Sequence, residues 1–196
     1  NTAWAISAID WCIDNRTKLN ISVVTLSIAV TDGSGNEIFH ASGCDTADTS
    51  GLAAAASAAA AQGIFVDASS GNAGNSSGIV APACGENVTS VGNTDDSDAI
   101  AAGSNAASIL DLLAPGTSIT STVLAGFGSK SGTSMSAPHV AGAAALVTQY
   151  WKLAYNINIT PAQINNKLKI TGEKINDTRN SIIFPRVNVL AAIQPF

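Results

Sequence analysis

The 196 residues are enough to bury the core of one domain, and no evident linker divides them. Their net charge is −5 at pH 7, and the span from Leu19 to Ser129 holds ten acids and no Lys or Arg. That is the wrong sign for a nucleic-acid surface, and no apolar run approaches the roughly 18 residues of a membrane span.

The opening stretch, NTAWAISAIDWCIDN (1–15), reads as an amphipathic helix without the basic start or cleavage site of a signal peptide, so the chain is expected to begin in mid-fold. ISVVTLSIA (21–29) is a β-branched apolar run of the kind buried in a parallel sheet, and TDGSGNE is the turn after it. DTSGLAAAASAAAAQG (48–63) predicts a helix capped by Thr49 or Ser50 and stopped at Gly63. IFVDA (64–68) is a strand entering the polar loop SSGNAGNSSG, NVTSVG (87–92) is the next strand, and LDLLAPG and SITSTV give short strands about Pro115 and Gly116. A long helix opens at Thr133 or Ser134 and runs to about Trp151; another starts with Thr160 as cap and Pro161 in its first turn. FPRVNVLAAI is read as a closing segment packed on the outside. Helices alternating with apolar strands predict an α/β fold: a three-layer parallel sheet with helices on both faces. Such sheets place sites at the carboxyl ends of their strands, where SSGN stands.

Cysteine placement bounds the compartment. Cys44 precedes the alanine-rich helix, Cys84 lies in a loop before a strand and Cys12 falls inside a helix. This favours a Cys44–Cys84 disulfide, a buried free Cys12 and an oxidising compartment, three reduced thiols being the other reading. Six Asn-x-Ser/Thr sequons, at Asn15, Asn20, Asn75, Asn87, Asn158 and Asn176, are largely what so much Asn, Ser and Thr supplies by chance.

The chemistry concentrates in GSKSGTSMSAPHVAG (128–142). Gly132 permits a sharp turn into a helix, which presents Ser134 where free N–H groups and the dipole favour a developing anion. Pro138 removes the N–H that would bond the Ser134 carbonyl, and small apolar residues on all sides of HVAGAAALV mark a buried helix. Ser136, two places after the serine, excludes the α/β-hydrolase elbow, which needs glycine there. Gly132 to Gly142 resembles the nucleophile signature of the subtilases, the subtilisin-like serine proteases, and the resemblance extends over essentially the whole chain through AISAIDWCIDN, VVTLSIA, GIFVDASSGNAG and LDLLAPG.

That resemblance implies a serine endopeptidase with Ser134 as nucleophile and Asn72 donating its side-chain amide to the oxyanion. Ser27, Ile28 and Ala29 would bind the peptide substrate by strand addition, and Ser69, Ser70 and Gly71 would form the opposite wall of the first specificity pocket. Ala29 stands where the family has glycine, and Asp67 replaces an apolar strand residue, so its buried carboxylate needs a partner. The resemblance also implies a cis Ala81-Pro82 bond, no cofactor for the chemistry, a structural calcium held by backbone carbonyls around Ala83 to Val88, and a secreted or extracytoplasmic protein.

A serine needs a base, and the chain has two histidines. His139 lies five positions beyond Ser134 and corresponds to a packing residue of the family. Asp32, His40 and Ser134 follow the family's chain order, but TDGSG and FHASG are not its aspartate and histidine contexts, and both follow the substrate strand rather than precede it. Residues 1–196 are therefore expected to be the C-terminal part of a single subtilisin-like domain, with the Asp/His pair on a second polypeptide. A non-catalytic peptide- or protein-binding module is the alternative.

Overall fold

The computed structural model describes residues 2–194; Asn1, with which the first predicted helix opens, and the last two residues lie outside them. The elements are α1 (Thr2–Leu19), β1 (Val23–Leu26), β2 (Phe39–His40), α2 (Leu52–Ala61), β3 (Phe65–Ser69), β4 (Ile79–Val80), β5 (Thr89–Thr94), β6 (Leu112–Pro115), β7 (Ile119–Val123), β8 (Gly126–Lys130), α3 (Thr133–Tyr155), α4 (Pro161–Thr171), β9 (Glu173–Asp177), β10 (Ile182–Arg186) and α5 (Val189–Ile193). No described helix is long and apolar enough to cross a membrane.

Six strands form one sheet in the order β1-β3-β5-β6-β10-β9, all parallel except β9. The alternation of side chains along β3 explains the layers. Val66 and Ala68 pack with Ile9, Leu52, Ala53 and Ala56 beneath α1 and α2, whereas Phe65 packs with Val140, Ala144, Val147, Ile164 and Leu168 beneath α3 and α4. Both faces of the central strands are thus covered, which is why the parallel strands read as apolar runs.

Local chemistry moves several boundaries. Strand β1 ends at Leu26, and Ser27 to Ala29 leave the sheet before Val30 N–H donates to Ala81 O at 2.9 Å. The cap of α2 is neither predicted hydroxyl alone: Asp48 Oδ2 accepts Ala53 N–H at 3.0 Å and Ser50 Oγ accepts Leu52 N–H at 3.3 Å, while Thr49 takes no part. Helix α4 carries a full capping box between Thr160 and Gln163. The closing segment corrects the reading made above, because β10 enters the sheet beside β6 with Phe184 only 2% exposed, paired on its other side with β9. Arg179, bidentate on Asp177, ties the β9–β10 turn to the carbonyls of Ala102 and Ser104.

Cys44 and Cys84 are joined across a separation of 40 residues, and the free Cys12 is half-buried rather than fully buried. In the chain-entropy account, closing a loop of that length constrains the unfolded chain by about 4 kcal/mol. Cys84→Ser is accordingly expected to lower the urea midpoint by the equivalent of about 3–4 kcal/mol. An unchanged midpoint under oxidising conditions would show that the bridge is not formed in solution.

Candidate active site

Ser134 is the second residue of α3, and its position follows from a glycine. Gly132 has φ +146°, and Met135 N–H closes back on its carbonyl at 2.9 Å. Its own N–H donates to Gly116 O at 2.8 Å, which seats the turn on the loop after β6. A side chain at 132 would lie 3.1 Å from Asn72 Oδ1, so glycine here also makes room for the Asn72 side chain.

Asn72 is held with its amide free to donate. Its Oδ1 accepts the Thr133 N–H at 2.9 Å and the Thr133 hydroxyl at 3.1 Å, so the carbonyl end points into the helix start. The Nδ2 end has no hydrogen-bond partner among the described residues, and the residue is exposed. Thr133 itself is buried and pairs with Gly71. An amide donor, a helix N-terminus and a serine are thus assembled within one turn.

The loop behind Asn72 is fixed by two residues with no sequence signal. Asn105, fully buried, accepts the N–H groups of Ala73 and Asn75 with its Oδ1, each at 3.0 Å, and its Nδ2 donates to Ser70 O at 3.2 Å and to Glu37 Oε2 at 2.6 Å. Glu37 Oε1 accepts Asn72 N–H at 2.8 Å. These links span 30 to 68 residues of sequence, so no local pattern could have announced them.

The predicted substrate edge, Ser27, Ile28 and Ala29, is exposed, and Ser27 Oγ donates to the Ser134 carbonyl at 2.8 Å. That hydroxyl satisfies the carbonyl which Pro138 leaves without its helical partner. Of the predicted opposite wall, Ser69, Ser70 and Gly71 are all buried, and Ser70 Oγ donates to Asn105 O at 2.8 Å. Ala81-Pro82 is cis. In the loop from 80 to 88 the carbonyls of Val80, Pro82, Cys84 and Gly85 each accept a backbone N–H. No step of the chemistry below is routed through a cation.

Neither histidine serves Ser134. His139 is exposed, not packed, because α3 leaves one face open; its Nδ1–H donates to Met135 O at 2.8 Å. It lines, with Ile119, Thr120, Ser121, Met135 and Pro138, a groove of about 350 Å3 that reaches Ser134. His40 sits instead against the disulfide, where its ring and both sulfurs lie within 4.8 Å of one another. Asp32 is occupied as the cap of its turn, accepting from Ser34 and Asn36. Among the described residues no side chain hydrogen-bonds Ser134 Oγ.

Asp67 lies in β3 with no exposure. It accepts Thr25 Oγ1–H at 2.8 Å, its Oδ2 has no partner among the described residues, and burial pushes its carboxyl up to about 8 against the pull of that single hydrogen bond.

A serine at the first turn of a buried-sheet helix, with a carboxamide fixed beside it, defines the class of hydrolases that work through a nucleophilic serine. Residues 1–184 match the subtilase family of peptidases. The chain is 34% identical over 198 residues to subtilisin amylosacchariticus of Bacillus subtilis subsp. amylosacchariticus, covering 98% of this chain and 45% of that protein. It is 35% identical over 183 residues to thermitase of Thermoactinomyces vulgaris, covering 93% and 63%. Among solved structures it superposes on a cold adapted subtilisin-like serine proteinase with TM-score 0.74 and 28% identity, over 96% of this chain and 62% of that one. The prenylagaramide maturation protease PagA shares the fold, with TM-score 0.79 over 98% and 66% at 24% identity. The chain belongs to the subtilase family of serine proteases, and it spans about half the length of subtilisins such as the first of these.

Proposed function

We propose that this chain is the nucleophile-bearing part of a serine endopeptidase whose Asp/His pair comes from a second polypeptide. The observation that carries the reading is the fixed pairing of Asn72 Oδ1 with Thr133 N–H, which leaves the Asn72 amide to face whatever Ser134 attacks. With a histidine base docked, Ser134 Oγ would add to the scissile carbonyl and pass its proton to that base. The oxyanion would be held by Asn72 Nδ2 and the Ser134 N–H, and collapse would expel the amine with the same proton and leave an acyl-enzyme on Ser134. Water, deprotonated by the same base, would then release the acid. Ser27 to Ala29 would hold the substrate backbone by strand addition.

Three features support a docked partner. Among the described residues strand β1 pairs only with β3, so its outer edge is open. Helix α3 exposes two large apolar side chains, Leu146 at 53% and Leu153 at 78%, beside the polar Gln149 and Lys152. Ser134 has a pre-set oxyanion donor and no base among the described residues. The disulfide is in keeping with a secreted or extracytoplasmic setting.

A fluorophosphonate probe tests the proposal. Labelling of Ser134 only when the partner chain is present is the expected result. An absence of labelling with every co-purifying chain present, as inventoried by denaturing mass spectrometry, would instead leave a non-catalytic peptide-binding module.

A further inference from the structure

Strand β2 lays His40 against β4, opposite Ile79 in the antiparallel pair. Beyond β4 comes Cys84, whose N–H donates to Val80 O at 3.2 Å and whose carbonyl accepts Cys44 N–H at 3.0 Å. Backbone bonds therefore hold residues 40, 44 and 84 together whether or not the sulfurs are joined. A ring nitrogen of His40 and the sulfurs of Cys44 and Cys84 all lie within 4.8 Å of one another. The ring is half-buried and makes no side-chain hydrogen bond among the described residues. A partly buried imidazole ordinarily has such a partner, and this one faces two sulfurs instead. Cys84 also lines, with Gly43, Gly85 and Glu86, a cavity of about 370 Å3 that is open to solvent. Glu86 brings a carboxylate to that path, and Lys169, in the same lining, is neutralised by Asp111 at 2.6 Å.

We propose that the reduced protein binds a zinc-type divalent cation through His40, Cys44 and Cys84, so that disulfide and metal are alternative clasps at one place. Two thiolates and a neutral imidazole suit the borderline-soft character of such an ion and leave a fourth, tetrahedral position for water. Bonds of about 2.3 Å to sulfur and 2.0–2.1 Å to nitrogen put tetrahedral donors roughly 3.6 Å apart, a spacing that side-chain rotation reaches once the sulfurs part. The opening is a two-electron step: a dithiol attacks the bridge by way of Cys84, leaves as a cyclic disulfide, and releases Cys44 and Cys84 as thiols. Each thiol then loses its proton to solvent as the metal binds, so binding tightens as pH rises. The metal joins the segment at Cys44 to that at Cys84 as the bridge did, and so keeps the 40-residue loop closed. The site uses none of the residues assembled around Ser134, and it stands or falls without the protease reading.

Co2+ is the probe, because thiolate ligation gives it an intense near-ultraviolet charge-transfer band and a tetrahedral site gives it strong visible bands. The protein as purified with its accompanying chains is reduced with excess dithiol, freed of it without air and titrated, with the oxidised protein alongside. The reduced protein is expected to show both bands, to yield the Co2+ to added Zn2+, and to gain a higher urea midpoint with the metal, whereas the oxidised protein does none of these. Cys12→Ser should leave the bands unchanged, and Cys84→Ser should at least halve the charge-transfer band. His40→Ala should weaken Co2+ binding at least about tenfold, a loss known even for groups outside a ligand set. His40→Cys should restore the affinity and raise the charge-transfer intensity by about half, three thiolates standing in place of two. No charge-transfer band in the reduced wild-type protein, unchanged affinity in His40→Ala, equal binding by the oxidised protein, or a reduced chain that Co2+ fails to stabilise overturns the proposal.

Discussion

On the function proposed above, Asn72→Leu in the protein assembled with its partner chain is expected to lower kcat about 10²–10³-fold with little change in KM, a magnitude known for loss of one oxyanion donor in enzymes of this same family. The physical reason is that Asn72 has only one free polar end. Its Oδ1 is spent on Thr133 N–H and hydroxyl, so the amide's contribution is felt where negative charge develops and not in the ground-state complex. Steady-state kinetics on a peptide anilide, normalised to Ser134 titrated with a fluorophosphonate, check it. A loss expressed wholly in KM would assign Asn72 to substrate binding and remove it from the oxyanion hole.

The second large effect concerns pH. An aspartate titrates near 4 in an unfolded chain, and burial raises Asp67 to about 8 in the fold. Between those values the native state holds a proton that the unfolded state has released. Stability from this group is therefore fully present below about pH 4 and lost as pH rises toward 8, at about 1.4 kcal/mol per unit and on the order of 5 kcal/mol over the window. Asp177, held below the usual carboxylate range by the Arg179 guanidinium, contributes the opposite slope, but only at acidic pH below that window. Denaturant midpoints measured from pH 4 to 9 should fall for the wild-type chain. Asp67→Asn should flatten the decline and be the more stable protein at pH 8. A wild-type midpoint that stays level over this range would mean that the carboxylate ionises in place, with a partner from outside these residues.

How much of this was legible in the sequence depends on the range of the interactions involved. The strands at 64–68, 87–92 and 112–115 and the helix at 133 announce themselves because apolar runs and glycine punctuation are local. Ser134 and Asn72 could be singled out as candidates because their motifs are contiguous, and the need of Asp67 for a partner followed from one acid in an apolar strand. The β9–β10 pair was not, since Phe184 is buried by a strand partner that lies just upstream in the chain and by β6 some 70 residues away, and neither contact leaves a period of two in FPRVNV. His139 was misplaced because HVAGAAALV has small apolar residues on every side, and such a helix looks equally buried whether or not one face is covered. Glu37 and Asn105 were invisible for a simpler reason: a turn glutamate and a loop asparagine are ordinary until folding brings them to the same loop.

The contact between Asn72 and the start of α3 also has a genetic consequence. Thr133 presents its N–H and hydroxyl to the same Asn72 oxygen that Gly132 leaves room for, so positions 72, 132 and 133 form one energetic unit. Substitutions at two of them will not add: once Asn72 is lost, a side chain at 132 meets no carboxamide and bears only the backbone strain of φ +146°, and a change at 133 has less left to disturb. Variation in this protein should therefore arrive at those positions in combination, and single changes will understate what paired changes tolerate.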